Sequence, residues 1–232
     1  MPKLSAQARA RKIKLLMFDV DGVLTDGKLY FIPEDSPQGA SPSVLNRTSP
    51  SQIEVKGFHA HDGVASSLAR IAGLKTGLIT RRASETVAGR ARDLKIEHVY
   101  QGIQDKRACC EEVARPEGLR PEQAAFVGDD VIDLPAMRAA GLAIAVKNAR
   151  ADVKKEAHYV TPHAGGEGAL RDAVEFILKA QGRLKKVVEQ YVGEGSPGES
   201  SPGKSRQLSA KVKGPLTKQP YIRSKEFEER FG

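Results

Sequence analysis

The 232-residue chain has no tryptophan, two cysteines, an aromatic content of 5% and no apolar run of membrane-spanning length. Each scarcity excludes something. Cys109 and Cys110 are adjacent, and neighbours on a helix face different directions, so they cannot form a Cys-x-x-Cys redox or zinc motif; packing is their expected role. A chain of this length sustains a core without disulfides. No segment approaches the roughly 18 apolar residues of a membrane span, and the run Ile13–Phe18 is too short for a signal-peptide core, so a cytoplasmic, soluble protein is expected. The dearth of aromatics leaves no stacking platform for single-stranded nucleic acid.

The formal charge of +8 is concentrated at the ends. Residues 1–14 carry five basic and no acidic side chains, 182–192 carry three and one, and 193–232 carry eight and five, which leaves the body, 15–181, at −2. A basic N-terminal arm over 1–12 and a basic tail over 193–232 read as solvated appendages, the tail disordered apart from a short helix over Lys225–Phe231. Nucleic acid is not an expected partner.

Ile13–Phe18 reads as a strand buried on both faces. Two short strands follow, Lys28–Ile32 and Gln52–Phe58, forming a hairpin flap over 28–58 whose Ser/Pro-rich segment, 33–51, is too long for an ordinary hairpin loop and reads as a flexible insertion. A helix opens at Asp62-Gly63, and Leu74–Ile79 is a buried strand ending at Thr80. Ser84 caps a helix to Leu94, Val99–Gly102 is a short strand, and a helix covers Asp105 to about Ala114. Ala124–Gly128 is a strand, Ile132–Ala140 a helix, Leu142–Val146 a strand, Ala151–Glu156 a helix and His158–Val160 a strand. One long helix runs from Gly168 to about Val192. Strands alternating with helices predict an α/β fold with a parallel sheet.

In such a sheet, ligands sit at the carboxyl ends of the strands. Asp19 and Asp21, at i and i+2, end the first strand, Thr80 ends another, Lys106 opens a helix after a third, and Asp129, Asp130 and Asp133 follow a fourth. Two carboxylates that close repel each other and resist burial, which a divalent cation relieves. Alone, Asp19-x-Asp21-Gly22 would be a turn, Thr80 a helix cap and Lys106 a solvated charge. Together, acids for a hard cation, a hydroxyl and a lysine suit a phosphoryl group, whose transfer depends on positioning and charge neutralisation.

Asp19-Val-Asp-Gly-Val-Leu-Thr-Asp-Gly27, Leu78-Ile-Thr80, Lys106 and Gly128-Asp-Asp-Val-Ile-Asp133 resemble, in order and context, the four motifs of the haloacid dehalogenase superfamily of phosphatases. Thr25-Asp26-Gly27, Phe58-x-x-x-Asp62-Gly63 and Gly165-Gly166-Glu-Gly168-Ala-Leu-Arg171 are similar to its capless branch, typified by phosphatases of 3-deoxy-D-manno-octulosonate 8-phosphate. The resemblance spans about residues 13–181. It implies a three-layer Rossmann-like domain over 13–192 with the hairpin flap and no large cap. It further implies hydrolysis through an aspartyl-phosphate, with Asp19 as nucleophile and Asp21 as acid and then base. Magnesium would be held by Asp19, the Val20 carbonyl and Asp129, with Asp21, Asp130 and Asp133 around it. Thr80 and Lys106 would bind the phosphoryl group, and a homotetramer would form around the hairpins.

Two positions depart from the branch. Arg81 replaces the glycine usual before Arg82, adding a cation beside the phosphate site. His61 stands where octulosonate members carry Arg, which grips a carboxylate through two parallel bonds as a neutral His cannot. His61, Asp62, Arg81 and Arg82 are therefore the candidate substrate-binding residues. A nine-carbon ulosonate 9-phosphate or a broader range of sugar phosphates is the alternative substrate, and a basic-tailed binding module the non-enzymatic one.

Overall fold

The computed structural model describes residues 4–33 and 52–193. The expected Ser/Pro insertion beyond Pro33 and the tail from residue 194, with its short helix, lie outside the described residues. Strand β1 (Leu15–Phe18) is apolar and buried at every position. It lies inside a six-stranded parallel sheet, with β4 (Lys75–Thr80) on one side and β6 (Ala124–Gly128) on the other. Beyond β4 lies β5 (His98–Gln101), and beyond β6 lie β7 (Leu142–Ala145) and β8 (Tyr159–Val160). A strand covered on both faces needs a continuous apolar run, and β1 has one.

The chain leaves β1 for β4 and β5, then crosses back to β6. That reversal opens a crevice at the carboxyl ends of β1, β4 and β6. Helix α2 (Ala60–Ile71) packs on α7 (Ala169–Ala180), while α4 (Lys106–Ala114) packs on α5 (Leu134–Ala139). Helices α3 (Glu85–Asp93) and α6 (Ala151–Glu156) occupy the remaining crossovers. Between β1 and α2, β2 (Tyr30–Pro33) and β3 (Gln52–Val55) form a separate antiparallel pair, with Phe31 opposite Glu54. None of the described helices is long and apolar enough to cross a membrane.

Several local expectations shift. Where a solvated arm is expected, α1 (Ala6–Ala10) packs on α7, with Ala10 fully buried and Arg9 donating to the Gly141 carbonyl at 2.7 Å. An Ala-rich turn capped by Ser5, whose hydroxyl accepts from the Ala8 amide, suffices to dock the segment. The long final helix is two: α7 ends at Ala180 and α8 (Leu184–Gly193) begins after Gly182, which adopts φ 69°. That left-handed conformation stops a helix and suits glycine. Ser84 precedes α3 but its side chain makes no capping bond. The helix expected from Ile132 starts as a 3₁₀ turn over Val131–Asp133 before α5. Cys109 is buried on α4, where desolvation pushes its thiol up to about 12, in keeping with a packing role.

Candidate active site

Asp19 extends β1, its amide donating to the Val127 carbonyl of β6 at 3.1 Å. The chain then turns tightly. The Val20 carbonyl accepts the amides of Val23, Leu24 and Thr25 at 3.2, 2.9 and 3.0 Å. The Val20 carbonyl, an expected metal ligand, is thus turned into its own loop. Gly22, at φ 90°, closes the turn, and a Cβ there would overlap the Asp129 carboxylate. Only glycine lets that carboxylate lie against the loop.

Lys106, the first residue of α4, is 2% exposed. Its ammonium lies 2.7 Å from Asp19 Oδ2 and 2.7 Å from Asp133 Oδ1. Asp133 is wholly buried, and its other oxygen accepts the amides of Asp129 and Asp130 at 3.0 and 3.4 Å. Asp19, Asp129 and Asp133 each bring an oxygen within 4.8 Å of the others. Burial pushes Asp19 up to about 6, with Asp133 adding to the rise and Lys106 opposing it. Burial, followed by the charges of Asp133, Asp19 and Asp130, pushes Asp129 up to about 7. Burial works against the Lys106 ammonium, but its two carboxylates outweigh that and hold it above the usual lysine range.

One lysine thus faces three acids, and Asp129 Oδ1 is buried without a hydrogen-bond partner. An uncompensated, oxygen-only set of this kind suits a hard divalent cation. Asp130 lies outside the set: it is exposed, and its Oδ1 accepts the Val131 amide at 2.6 Å to cap the 3₁₀ turn. Asp21 also lies outside it, because its Oδ1 is 2.5 Å from the Lys56 ammonium.

Thr80, 3% exposed at the end of β4, accepts the Arg82 amide at 3.3 Å and keeps its hydroxyl hydrogen to donate. Arg81 turns away and binds Gln104 Oε1. Arg82 reaches the hairpin instead, 2.8 Å from Glu54 Oε2 and 3.9 Å from Asp21 Oδ2. Lys56 and Glu54 are the residues that sequence reasoning missed. The signal was there: in Gln52–Lys56, period-2 alternation places Glu54 and Lys56 on one face and Ile53 and Val55 on the other.

His61 is exposed near the start of α2, its ring 4.5 Å from that of His59. Asp62 is the next residue of α2. It is fully buried, and its Oδ1 accepts the Arg171 amide at 3.1 Å, joining α2 to α7. Burial pushes it up to about 6, despite the bond from Arg171. Because its pKa is higher folded than unfolded, the folded state binds more protons between about pH 4 and 6, so stability falls as pH rises through that window. Above it the charged carboxylate costs the fold about 3 kcal/mol. In Asp62→Asn, the fall in stability read by urea unfolding from pH 4 to 7 is expected to be smaller than in the wild type by about that amount, the rest coming from Asp19 and Asp129. An unchanged pH profile would show that Asp62 carries no such penalty.

The segment 81–171 matches the model of the haloacid dehalogenase-like hydrolases. The chain is 35% identical over 185 residues to the 3-deoxy-D-manno-octulosonate 8-phosphate phosphatase KdsC of Escherichia coli K12, covering 80% of this chain and 89% of that one. Among solved structures, it is similar to the 3-deoxy-D-manno-octulosonate 8-phosphate phosphatase of Yersinia pestis, with TM-score 0.67, 36% identity and coverage of 78% and 88%. It is also similar to the enzyme of that name from Moraxella catarrhalis, in complex with magnesium, phosphate and KDO, with TM-score 0.69, 32% identity and coverage of 80% and 97%.

Proposed function

The chain belongs to the haloacid dehalogenase-like hydrolases, and on that premise we propose that it is a magnesium-dependent phosphomonoesterase that hydrolyses 3-deoxy-D-manno-octulosonate 8-phosphate. The observation that carries the chemistry is the buried Lys106 ammonium shared by Asp19 and Asp133, beside an Asp129 oxygen with no partner. The sugar acid is taken from the relatives.

Asp19, Asp129 and Asp133 would hold the magnesium, which when bound supplies the positive charge that lets a carboxylate approach a phosphate dianion. Asp19 attacks phosphorus, and the bond from phosphorus to the sugar oxygen breaks. Asp21 gives its proton to the departing alkoxide. The Asp21 carboxylate then takes a proton from water, whose oxygen attacks the aspartyl-phosphate and frees both Asp19 and inorganic phosphate. Thr80 donates to a phosphoryl oxygen, while Lys106 neutralises the charge that builds there and fixes the Asp19 carboxylate. Arg82 and His61 lie on the substrate side in this scheme. Arg81 and Asp62, engaged elsewhere, have no part in it.

Phosphate release from a substrate panel tests the reading. With magnesium, kcat/KM for the eight-carbon 8-phosphate is expected to exceed that for nine-carbon ulosonate 9-phosphates and simple hexose phosphates by about tenfold or more. EDTA should reduce turnover to background and magnesium restore it. No release from any ester would overturn the reading, and preference for a nine-carbon substrate would overturn its specificity.

The hairpin exposes Leu29, Tyr30, Phe31, Ile32, Ile53 and Val55, each at least 38% accessible in the single chain. An apolar surface on both faces of a two-stranded ribbon calls for a partner, and the assembly we infer is a homotetramer packed through these hairpins, in the cytoplasm.

A further inference from the structure

Lys56 follows the last residue of β3, and its side chain is 0% exposed. A buried ammonium requires compensating charge. It has Asp21 Oδ1 at 2.5 Å and Glu54 Oε1 at 3.1 Å. On the other side of the same acids, Arg82 lies 2.8 Å from Glu54 Oε2 and 3.9 Å from Asp21 Oδ2. Two cations and two anions thus close a neutral ring that joins three segments: the loop after β1, the end of the hairpin and the loop after β4. The Thr86 hydroxyl on α3 fastens the ring further, donating to the Glu54 carbonyl at 3.4 Å.

The ring contacts both oxygens of Asp21. The Asp21 side chain follows a tight turn, and no donor from its own loop is among its side-chain bonds. Its Oδ1 is held by an ammonium that comes from just beyond the end of a strand of the other sheet. Oδ2 is held less closely, its ion pair with Arg82 being long at 3.9 Å. The hairpin shares no strand with the main sheet, yet through Lys56 it reaches Asp21 Oδ1.

We propose that Lys56 is the positioning residue for Asp21, holding Oδ1 so that Oδ2 delivers the proton to the leaving group. This rests on Asp21 serving as the acid in the function proposed above. Charge balance alone would give Lys56 a purely structural role, and the two roles separate by leaving group. An alkyl phosphate needs its departing oxygen protonated, whereas 4-nitrophenyl phosphate, with an acidic leaving group, hardly does. The ratio kcat/KM reports the steps through departure of that group, so misplacing Asp21 lowers it for the alkyl ester and spares the aryl ester.

Lys56→Met keeps the length of the apolar stem and removes the ammonium. With magnesium bound, it is expected to lower kcat/KM for the sugar phosphate about 10²-fold and for 4-nitrophenyl phosphate less than about fivefold, an inequality that a structural role would not create. Lys56→Met/Glu54→Gln, which removes the surplus negative charge, should keep the same inequality and supplies the comparison if the single variant does not fold. Lys56→Arg should recover part of the alkyl activity. Equal losses on both esters, or recovery of alkyl turnover in the double variant, would overturn the assignment while leaving the phosphatase reading intact. A wild-type enzyme that hydrolyses neither ester would overturn both.

Discussion

Asp19→Asn is expected to lower kcat by about 10⁴-fold or more, the scale seen when a covalent nucleophile is removed. The replacement is nearly isosteric, so the fold should survive: Asp19 is 3% exposed, and its amide bond to Val127 does not involve the side chain. A carboxamide oxygen is a far weaker nucleophile, and Asn presents an NH2 where Asp19 offers an acceptor to Lys106 or to the Val20 amide. The loss should appear in the first chemical step. Rapid mixing with 4-nitrophenyl phosphate should show no burst of nitrophenolate, and acid-quenched protein should carry no acyl phosphate. Retention of a tenth of wild-type turnover by a folded variant would rule out Asp19 as the nucleophile.

Lys106→Met combines a loss of stability with a loss of activity. It leaves Asp19 and Asp133, both buried, without their shared cation, and breaking a buried pair in this way costs about 3–5 kcal/mol. For a domain of this size that corresponds to a fall in Tm of roughly 6–20 °C. Turnover should drop about 10²–10³-fold, because a charge aimed at the phosphoryl oxygens is gone. The same variant gives the metal a signature. With the competing ammonium removed, magnesium should raise Tm more in Lys106→Met than in the wild type, as ligand linkage requires if the three carboxylates bind the ion. A variant with normal Tm and no added response to magnesium would show that the cluster is not coupled as described.

The order of strands and helices was legible because it depends on short-range patterns. Leu15–Phe18 is continuous apolar sequence, and its four buried positions follow from that alone. The gathering of Asp19, Lys106, Asp129 and Asp133 was legible for a different reason: a parallel sheet brings strand ends to one edge whatever separates them in sequence. What escaped was the direction in which groups point. Asp130 and Asp133 are equivalent by composition, but the 3₁₀ turn between them sends one outward as a cap and buries the other under Lys106. The Val20 carbonyl is spoken for by three amides, which no residue type advertises. Lys56 and Asp21 are separated by 35 positions and follow strands of different sheets, so the alternation that marks the strand face gives no hint of what the face meets. Asp62 looked like part of a binding motif because of its neighbours, whereas its buried bond to Arg171 makes it a tie between helices.

The central position of β1 also bears on how the protein is made. Leu15 pairs with Lys75 on one side and with Ala124 on the other, so the strand that carries the nucleophile must wait for two distant segments. Closing such loops is entropically costly, and parallel pairings of this range slow folding. During synthesis, Leu15–Phe18 leaves the ribosome as an apolar strand with both edges open, and β6 completes its pairing only once more than half of the chain has been made. Until then it offers an edge to any other unpaired strand, and dependence on chaperones should centre on that interval.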